Sequence, residues 1–316
     1  MTDKPTRKAP LLGKELMEVK EVSQLQTRYE YGADEFIFVQ LSEEMSLEAN
    51  FKGMAITRKL KEKAMEGILD ICPSNASYMV RFDPDLLSPD LLMKELQLIE
   101  HDMEEMDDIV ITSRLVDVPV YFDDPWTHEA LMRFRDRHQA PDSTDLEYSA
   151  KINGYSSKQD FIEAMTSAPF LVSMIGFVPG LPWCFQMVRR ERQIEVPKYV
   201  RPRTYTPERA FGFGGAFSVI YPVQGAGGYQ LYGIAPAPIY QKEPTLADFQ
   251  DSIVFPQQGD IFRYRSITRD EYDRIREQVE NGSFVYRKKQ VSFTPAEVLA
   301  DLESFAEMAL GRLYHD

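Results

Sequence analysis

Gly176-Phe177-Val178-Pro179-Gly180-Leu181-Pro182-Trp183 opens the segment on which the reading of the fold turns. It continues through Lys198-Tyr199-Val200-Arg201-Pro202-Arg203-Thr204-Tyr205-Thr206-Pro207-Glu208 and Gly212-Phe213-Gly214-Gly215. It closes with Gly225-Ala226-Gly227-Gly228-Tyr229-Gln230-Leu231-Tyr232-Gly233. Glycine at this density permits positive φ and close backbone approach, while proline fixes φ and removes donors. The segment therefore forms shaped turns between short strands, which is how a binding surface is built. Short β runs lie within and beside it: Phe170–Phe177, Phe217–Val223, Tyr229–Ala235 and Asp260–Arg265. Several such runs separated by turn residues indicate a barrel or sandwich.

Upstream the pattern changes. Glu35–Leu41 alternates and is rich in β-formers. Ser46 caps a helix whose apolar positions recur at helical spacing until Gly67. Strands over Ile68–Cys72 and Ser77–Phe82 flank Pro73-Ser74-Asn75. Ser88-Pro89-Asp90 opens a helix to about Met106 that buries Leu91, Leu92, Leu96 and Ile99. Ser113–Phe122 is a last strand, with Pro119 marking an edge or bulge. The order β-α-β-β-α-β is the split βαβ of a ferredoxin-like fold. Helices at His128–Arg137, Leu146–Asn153 and Ser157–Met165 follow; after the β region come a helix at Thr268–Gln278, a β excursion at Gly282–Phe293 and a last helix from Thr294 to Tyr314. The expected organisation is a mobile arm at 1–27, an α+β domain at 28–123 and a helical connector at 124–168. A β-barrel domain at 169–293 and a C-terminal helix at 294–316 complete it.

A chain of 316 residues with 43% hydrophobic and 12% aromatic content can bury substantial cores. Its formal charge of -14 argues against nucleic acid or an anionic membrane as partner. No stretch approaches the roughly 18 consecutive apolar residues of a membrane helix, and the N-terminus lacks the apolar core of a signal sequence, so a cytoplasmic location is expected. Cys72 and Cys184 have no CxxC or histidine companion, and the four histidines lack ligand spacing, so neither a disulfide nor a metal site is expected.

Candidate chemistry is concentrated in the Gly/Pro segment. Arg189, Arg190, Arg192, Lys198, Arg201, Arg203 and Arg209 either form an anion-binding group or are solvated loop charges offset by Glu191, Glu195 and Glu208. Tyr205, Tyr221, Tyr229 and Tyr232 either line a substrate wall or fill the core. Trp183 is a candidate pocket cap. Gly214 and Gly215 either present backbone N–H groups to an oxyanion or make a turn that needs positive φ. Cys184, with no nearby histidine, reads as an inert thiol.

Taken together, GFVPGLPW, the Pro/Arg/Lys stretch, GFGGAFSVIYP and GAGGYQLYG resemble the allophanate hydrolase subunit 1 family. That family includes the B-type subunit of 5-oxoprolinase, related kinase-inhibitor proteins and part of the carboxyltransferase region of urea carboxylase. The urea carboxylase form is the closer match over Lys198–Phe217 and Gly225–Ala235. The resemblance implies a ferredoxin-like N-terminal domain followed by a cyclophilin-like β-barrel, and a subunit 2 partner, itself cyclophilin-like, that shares the site. A biotin carboxylase and a biotinyl carrier would deliver carboxybiotin at the expense of ATP, with no cofactor held tightly by this chain. On that implication Lys198, Arg203, Tyr205 and the Gly214-Gly215 backbone meet the carboxylate and ureido oxygens, and Glu208 accepts the substrate proton. Tyr221, Gly227, Gly228 and Tyr229 complete the substrate-binding set. Met165 and Ile234 stand where the 5-oxoprolinase form has a histidine and an arginine, which leaves the substrate open. The competing readings are the B-type subunit of an ATP-dependent 5-oxoprolinase and a non-catalytic regulator that docks on a histidine kinase.

Overall fold

Ile37 and Val39 alternate with more exposed neighbours along β2 (Phe36–Gln40), and that alternation sets the inner face of the first sheet. The computed structural model describes residues 27–102 and 109–314; of the expected arm, all but Thr27 lies outside them. Its described residues form two compact units, one of residues 114–290 and 306–314, the other of 27–102, 109–113 and 291–305.

In the smaller unit, β1 (Arg28–Gly32) pairs antiparallel with β2. Helix α1 (Leu47–Lys63) is capped by the Ser46 side chain and ends on Ala64 in the left-handed region, three residues before the expected stop at Gly67. Strands β3 (Ile68–Pro73) and β4 (Ser77–Phe82) form the expected hairpin, and α2 (Pro89–Asp102) follows. Helix α2 buries Leu92, Leu96 and Ile99, but Leu91 is 53% exposed, contrary to expectation. Residues 103–106 of that expected helix lie outside the described residues.

The sheet order is β1-β2-β4-β3. This is the spatial order of a ferredoxin-like sheet, but the expected βαββαβ connectivity is not observed. The edge beside β2 is filled by β1, which precedes it, and not by the strand after α2. That later strand, β5 (Ile111–Phe122), is buried along most of its length, as a strand covered on both faces must be. It therefore joins the larger sheet, while β1 reaches β2 through a tight local turn.

In the larger unit β5 is followed by α3 (Pro125–Arg133), α4 (Asp145–Ile152) and α5 (Lys158–Thr166). Then come β6 (Phe170–Ile175), β7 (Pro182–Gln186), β8 (Arg203–Thr206), β9 (Ala210–Gly214), β10 (Phe217–Ile220), β11 (Gly225–Gly227), β12 (Gln230–Ile234) and β13 (Ile261–Ser266). Helix α6 (Arg269–Glu280) and β14 (Lys288–Phe293) follow. The expected single C-terminal helix is two: α7 (Pro295–Ala300), which belongs to the smaller unit, and α8 (Leu302–Tyr314), most of which belongs to the larger. Asp301 divides them, because its carboxylate accepts the N–H groups of Glu303 and Ser304 and so restarts the helix.

The main sheet runs β12-β9-β10-β7-β6-β13-β5-β14, and a further pairing of β12 with β5 closes seven of these strands into a ring. Strand β5 is thus interior, not the edge that Pro119 suggested. Its partner on one side is β13, in parallel; on the other, the Asp117 N–H donates to the Arg287 carbonyl near β14 and Tyr121 lies opposite Ile234 of β12. Pro119 falls at the handover between those two partners, where its missing N–H costs little.

Aromatic rings fill the ring of strands. Phe211 lies 4.6 Å from Tyr264, Phe170 lies 5.0 Å from Tyr264, and Phe161 lies 5.4 Å from Tyr232. Cys184 is buried among them, and burial pushes its thiol up to about 12, which agrees with an inert role. Among the described residues no helix is long and apolar enough to cross a membrane, and no cluster of potential metal ligands occurs.

Closure rests on Gly233. A Cβ there would stand 2.6 Å from the Tyr121 carbonyl oxygen and 3.0 Å from Phe122 Cα. Gly233→Ala is expected to cost about 2–3 kcal/mol, measured as a loss in urea unfolding.

Candidate functional site

Period-two alternation on four adjacent strands builds the candidate site. Phe211 and Phe213 of β9, Ser218 and Ile220 of β10, Cys184 of β7 and Tyr232 of β12 are buried, most of them in the main core. The alternate residues Ala210, Val219 and Leu231, with Trp183 and Phe217, belong to a second apolar cluster. Tyr221, Tyr229, Tyr205 and Ala130 of α3 belong to it too. The strands thus carry a second, outer apolar face, and the sequence-derived candidates gather on it.

Two glycines make room for its tyrosines. A Cβ on Gly214 would lie 2.5 Å from the Tyr229 ring, and one on Gly227 would collide with the Tyr221 ring. Gly215 does adopt positive φ, at 61°, but its N–H donates to the Val196 carbonyl at 2.6 Å. The turn reading therefore holds for Gly215, and its N–H is not free for an oxyanion. Gly228 offers its carbonyl to the Tyr199 N–H at 2.7 Å. Above the face, the exposed Lys198 places Nζ 5.2 Å from the Tyr229 ring centroid and 5.9 Å from that of Trp183.

Arg203 is not on the surface at all. It is 0% exposed, donates to the Tyr229 carbonyl at 2.7 Å and to the Thr206 hydroxyl at 3.3 Å, and lies 4.4 Å from the Tyr199 ring centroid. Tyr199 donates to Asp145, whose carboxylate also accepts the Leu231 N–H at 2.6 Å. His138 Nε2 lies 2.8 Å from Gln230 Oε1 and 3.5 Å from Asp145, while the Ala140 N–H donates to Nδ1 and so fixes the Nε2–H tautomer. Burial raises the Asp145 carboxyl above its ordinary value, against the opposing effects of the Leu231 N–H, Tyr199 and Arg203. This buried network fixes the backbone that carries Tyr229. Arg203 acts on the site by position.

Tyr205 and Glu208 open onto a different part of the face, a cleft of about 410 Å³ lined by Trp126, Arg133, Tyr205, Glu208, Arg209 and Tyr272 among others. Arg209 sits at φ 65°, a conformation that side-chain-bearing residues rarely adopt. Its backbone is clamped there: its N–H donates to the Tyr221 carbonyl at 2.7 Å and its carbonyl accepts from Ala235 at 2.9 Å. Its guanidinium donates to the carbonyls of Ala235 and Pro236 and stands 3.5 Å from the Glu208 carboxylate. Arg133 lies over the Tyr205 ring at 5.5 Å. Asp124 anchors the α3 wall, its buried carboxylate accepting the N–H groups of Trp126 and Thr127 and the Thr127 hydroxyl.

The basic group does not converge. Arg189, Arg190 and Arg192 lie at an exposed 3₁₀ turn, Arg201 pairs with Asp136 at 3.2 Å, and Lys198, Arg203 and Arg209 occupy three different settings. Residues outside the sequence-derived set, namely Asp145, His138, Tyr199, Gln230, Asp124, Trp126, Arg133 and Tyr272, hold or line the site. Only Asp124-Pro125 and Thr144-Asp145 carried a local signal, that of a helix start; their long-range partners left none.

By comparison with known proteins the fold is that of a carboxyltransferase domain. The chain belongs to the family described as carboxyltransferase domain, subdomain C and D, whose family model matches residues 27–247. It is 26% identical over 302 residues to urea amidolyase of Saccharomyces cerevisiae, a match covering 93% of this chain but 16% of that protein. It is 25% identical over 256 residues to the B-type subunit of 5-oxoprolinase from Bacillus subtilis, covering 78% of this chain and 95% of that one. The crystal structure of Kluyveromyces lactis urea amidolyase superposes with a TM-score of 0.78 at 23% identity, over 92% of this chain and 18% of that chain. That last likeness is one of fold, a mixed α/β architecture with several sheets.

Replacing Arg203 by Met removes its hydrogen bonds and leaves Asp145 without its buried cation. The expected loss is about 3–5 kcal/mol in urea unfolding; a loss below about 1 kcal/mol would sink the structural role. Burial also lifts the Asp124 carboxyl above its ordinary 3.8. The folded chain then holds that proton more tightly than the unfolded one, so stability falls as pH rises from about 3.8 through the raised folded value. Asp124→Asn keeps the cap and is expected to flatten that part of the stability profile, read from urea midpoints across the range.

Proposed function

We propose that this chain is one half of a carboxyltransferase in a biotin-dependent, ATP-driven complex that moves a carboxyl group to urea or a related amide. The observation that carries this reading is the Glu208–Arg209 pair in the cleft, in a chain of the carboxyltransferase-domain family. Transfer to an amide nitrogen needs a base for the departing N–H proton and a cation for the charge that grows on the amide oxygen. Glu208, 61% exposed, is placed to take the proton. Arg209, locked by its backbone clamp, is placed to meet the oxygen, and Tyr205 offers a ring beside a planar amide. Biotin on a partner supplies the activated carboxyl group when bound, while this chain holds and orients the acceptor. On this reading the closed ring is a cyclophilin-like barrel, the partners are a subunit 2 protein, a biotin carboxylase and a biotinyl carrier, and the complex is cytoplasmic.

A second reading, the B-type subunit of an ATP-dependent 5-oxoprolinase, is favoured by one observation. The match to the Bacillus subtilis protein spans nearly all of its length, whereas the yeast match spans a small part of a longer one.

The native complex, purified through this chain and probed with streptavidin, is expected to contain a biotinylated component. Its absence, with 5-oxoproline-dependent ATP turnover present, selects the second reading. In the assembled complex, Glu208→Gln is expected to lower amide-dependent carboxyl transfer by about a hundredfold or more; unchanged turnover removes Glu208 from the chemistry.

A further inference from the structure

We propose that Tyr272 and Arg276 of α6 are positioning residues for the cleft, acting through Arg209: they tether one end of its guanidinium so that the other end meets the amide oxygen. The sequence of α6 sets this up. Arg269, Tyr272 and Arg276 stand at i, i+3 and i+7, a single row along one side of the helix. All three reach the cleft or the groups that hold it. Arg269 lies over the Trp126 ring at 5.1 Å, and the Tyr272 ring lies 5.1 Å from Trp126 and 5.8 Å from Tyr121. Arg276 donates from Nη1 to the Pro236 carbonyl at 2.9 Å. Arg209 donates to that same carbonyl at 3.1 Å, so two cations converge on one oxygen.

Like charges brought together in a half-buried setting repel. Burial, and after it the Arg209 charge, push the Arg276 guanidinium below its ordinary value, while Glu280 and Glu208 act the other way. Glu280 answers Arg276 at 3.4 Å from a largely exposed position, and Glu208 stands 3.5 Å from Arg209. Within Arg209 the labour is divided. Three oxygens hold Nη1: the carbonyls of Ala235 and Pro236, each at 3.1 Å, and the Tyr272 hydroxyl at 3.4 Å. Among the described residues Nη2 donates to none. A planar guanidinium tethered at one nitrogen, on a backbone fixed at φ 65°, has little freedom to turn. Arg276 fixes the Pro236 carbonyl that forms part of the tether, and its charge keeps Arg209 from swinging back onto α6. Tyr272, buried in the main core, fixes the third oxygen. The inference rests on the proposed function, because the aim of Arg209 matters to turnover only where the cleft holds the amide.

The test is steady-state kinetics of the assembled complex with urea and 5-oxoproline as probes, taken on whichever supports amide-dependent turnover. Arg276→Met and Tyr272→Phe are expected to lower kcat about tenfold and about threefold, with KM for the amide within about twofold of its original value. In an Arg209→Gln background no guanidinium remains to be placed, so neither substitution is expected to lower kcat by more than about a further twofold. The same factor in both backgrounds would show a general structural role and overturn the proposal. Tyr272→Phe keeps the ring contacts and removes only the hydroxyl, so it carries the test where Arg276→Met fails to assemble. The two levels fail separately. Turnover lowered by Arg209→Gln but indifferent to both α6 substitutions removes the α6 proposal alone. Turnover with neither probe, or turnover indifferent to Arg209→Gln, removes the assignment of Arg209 to the amide and the α6 proposal together.

Discussion

The two faces of β9 carry opposite sizes, and the larger unit depends on that asymmetry. Phe211 and Phe213 point one way into a core packed with other rings, while Gly212 and Gly214 leave the opposite side bare. A strand with large residues on both faces would have filled the barrel but left no seat for Tyr221 and Tyr229. With small residues on both, the ring of strands would have lost its filling. The glycines in this segment thus act as absent side chains against which tyrosines pack.

The buried network extends this economy of space. Arg203, Tyr199 and Asp145 come from β8, the loop before it and the first turn of α4, and they meet through a hydroxyl and the face of a ring. Full desolvation of a guanidinium is tolerated only when its charge is answered nearby; both terminal nitrogens of Arg203 donate, while its buried Nε has no partner. Tyr199 sits between the cation and the carboxylate and couples them, so strand β12 takes its alignment from the helical layer through the Asp145 bond to Leu231.

Much of this was legible in the sequence. The helices announced themselves through Ser46, Ser157, Thr268 and Thr294, all of which cap as local chemistry requires, whereas the Thr144 cap, two residues before the expected start at Leu146, was not read. The smaller sheet's hairpin was visible too, and so was the resemblance to a carboxyltransferase family. What escaped had a common cause. Strand β9 looked like a string of turns because glycine is ambiguous between a turn and a strand that something leans on. Strand β5 looked like a fourth ferredoxin strand because its continuous apolar character does not say which sheet will bury it. Arg203 looked like a surface cation because no local pattern reveals a partner such as Asp145, far away in the chain.

The seam between β5 and β12 has a temporal side. Strand β5 is made early and finds Gly233 and Ile234 only after more than a hundred further residues have been added. Its parallel neighbour β13 comes later still. During synthesis one of the most apolar strands of the protein waits unpaired, and contacts so distant along the chain are slow to form. The smaller unit's sheet, built from neighbours in sequence, has no such delay. Biogenesis of the larger unit is thus exposed to aggregation in the interval before its ring can close.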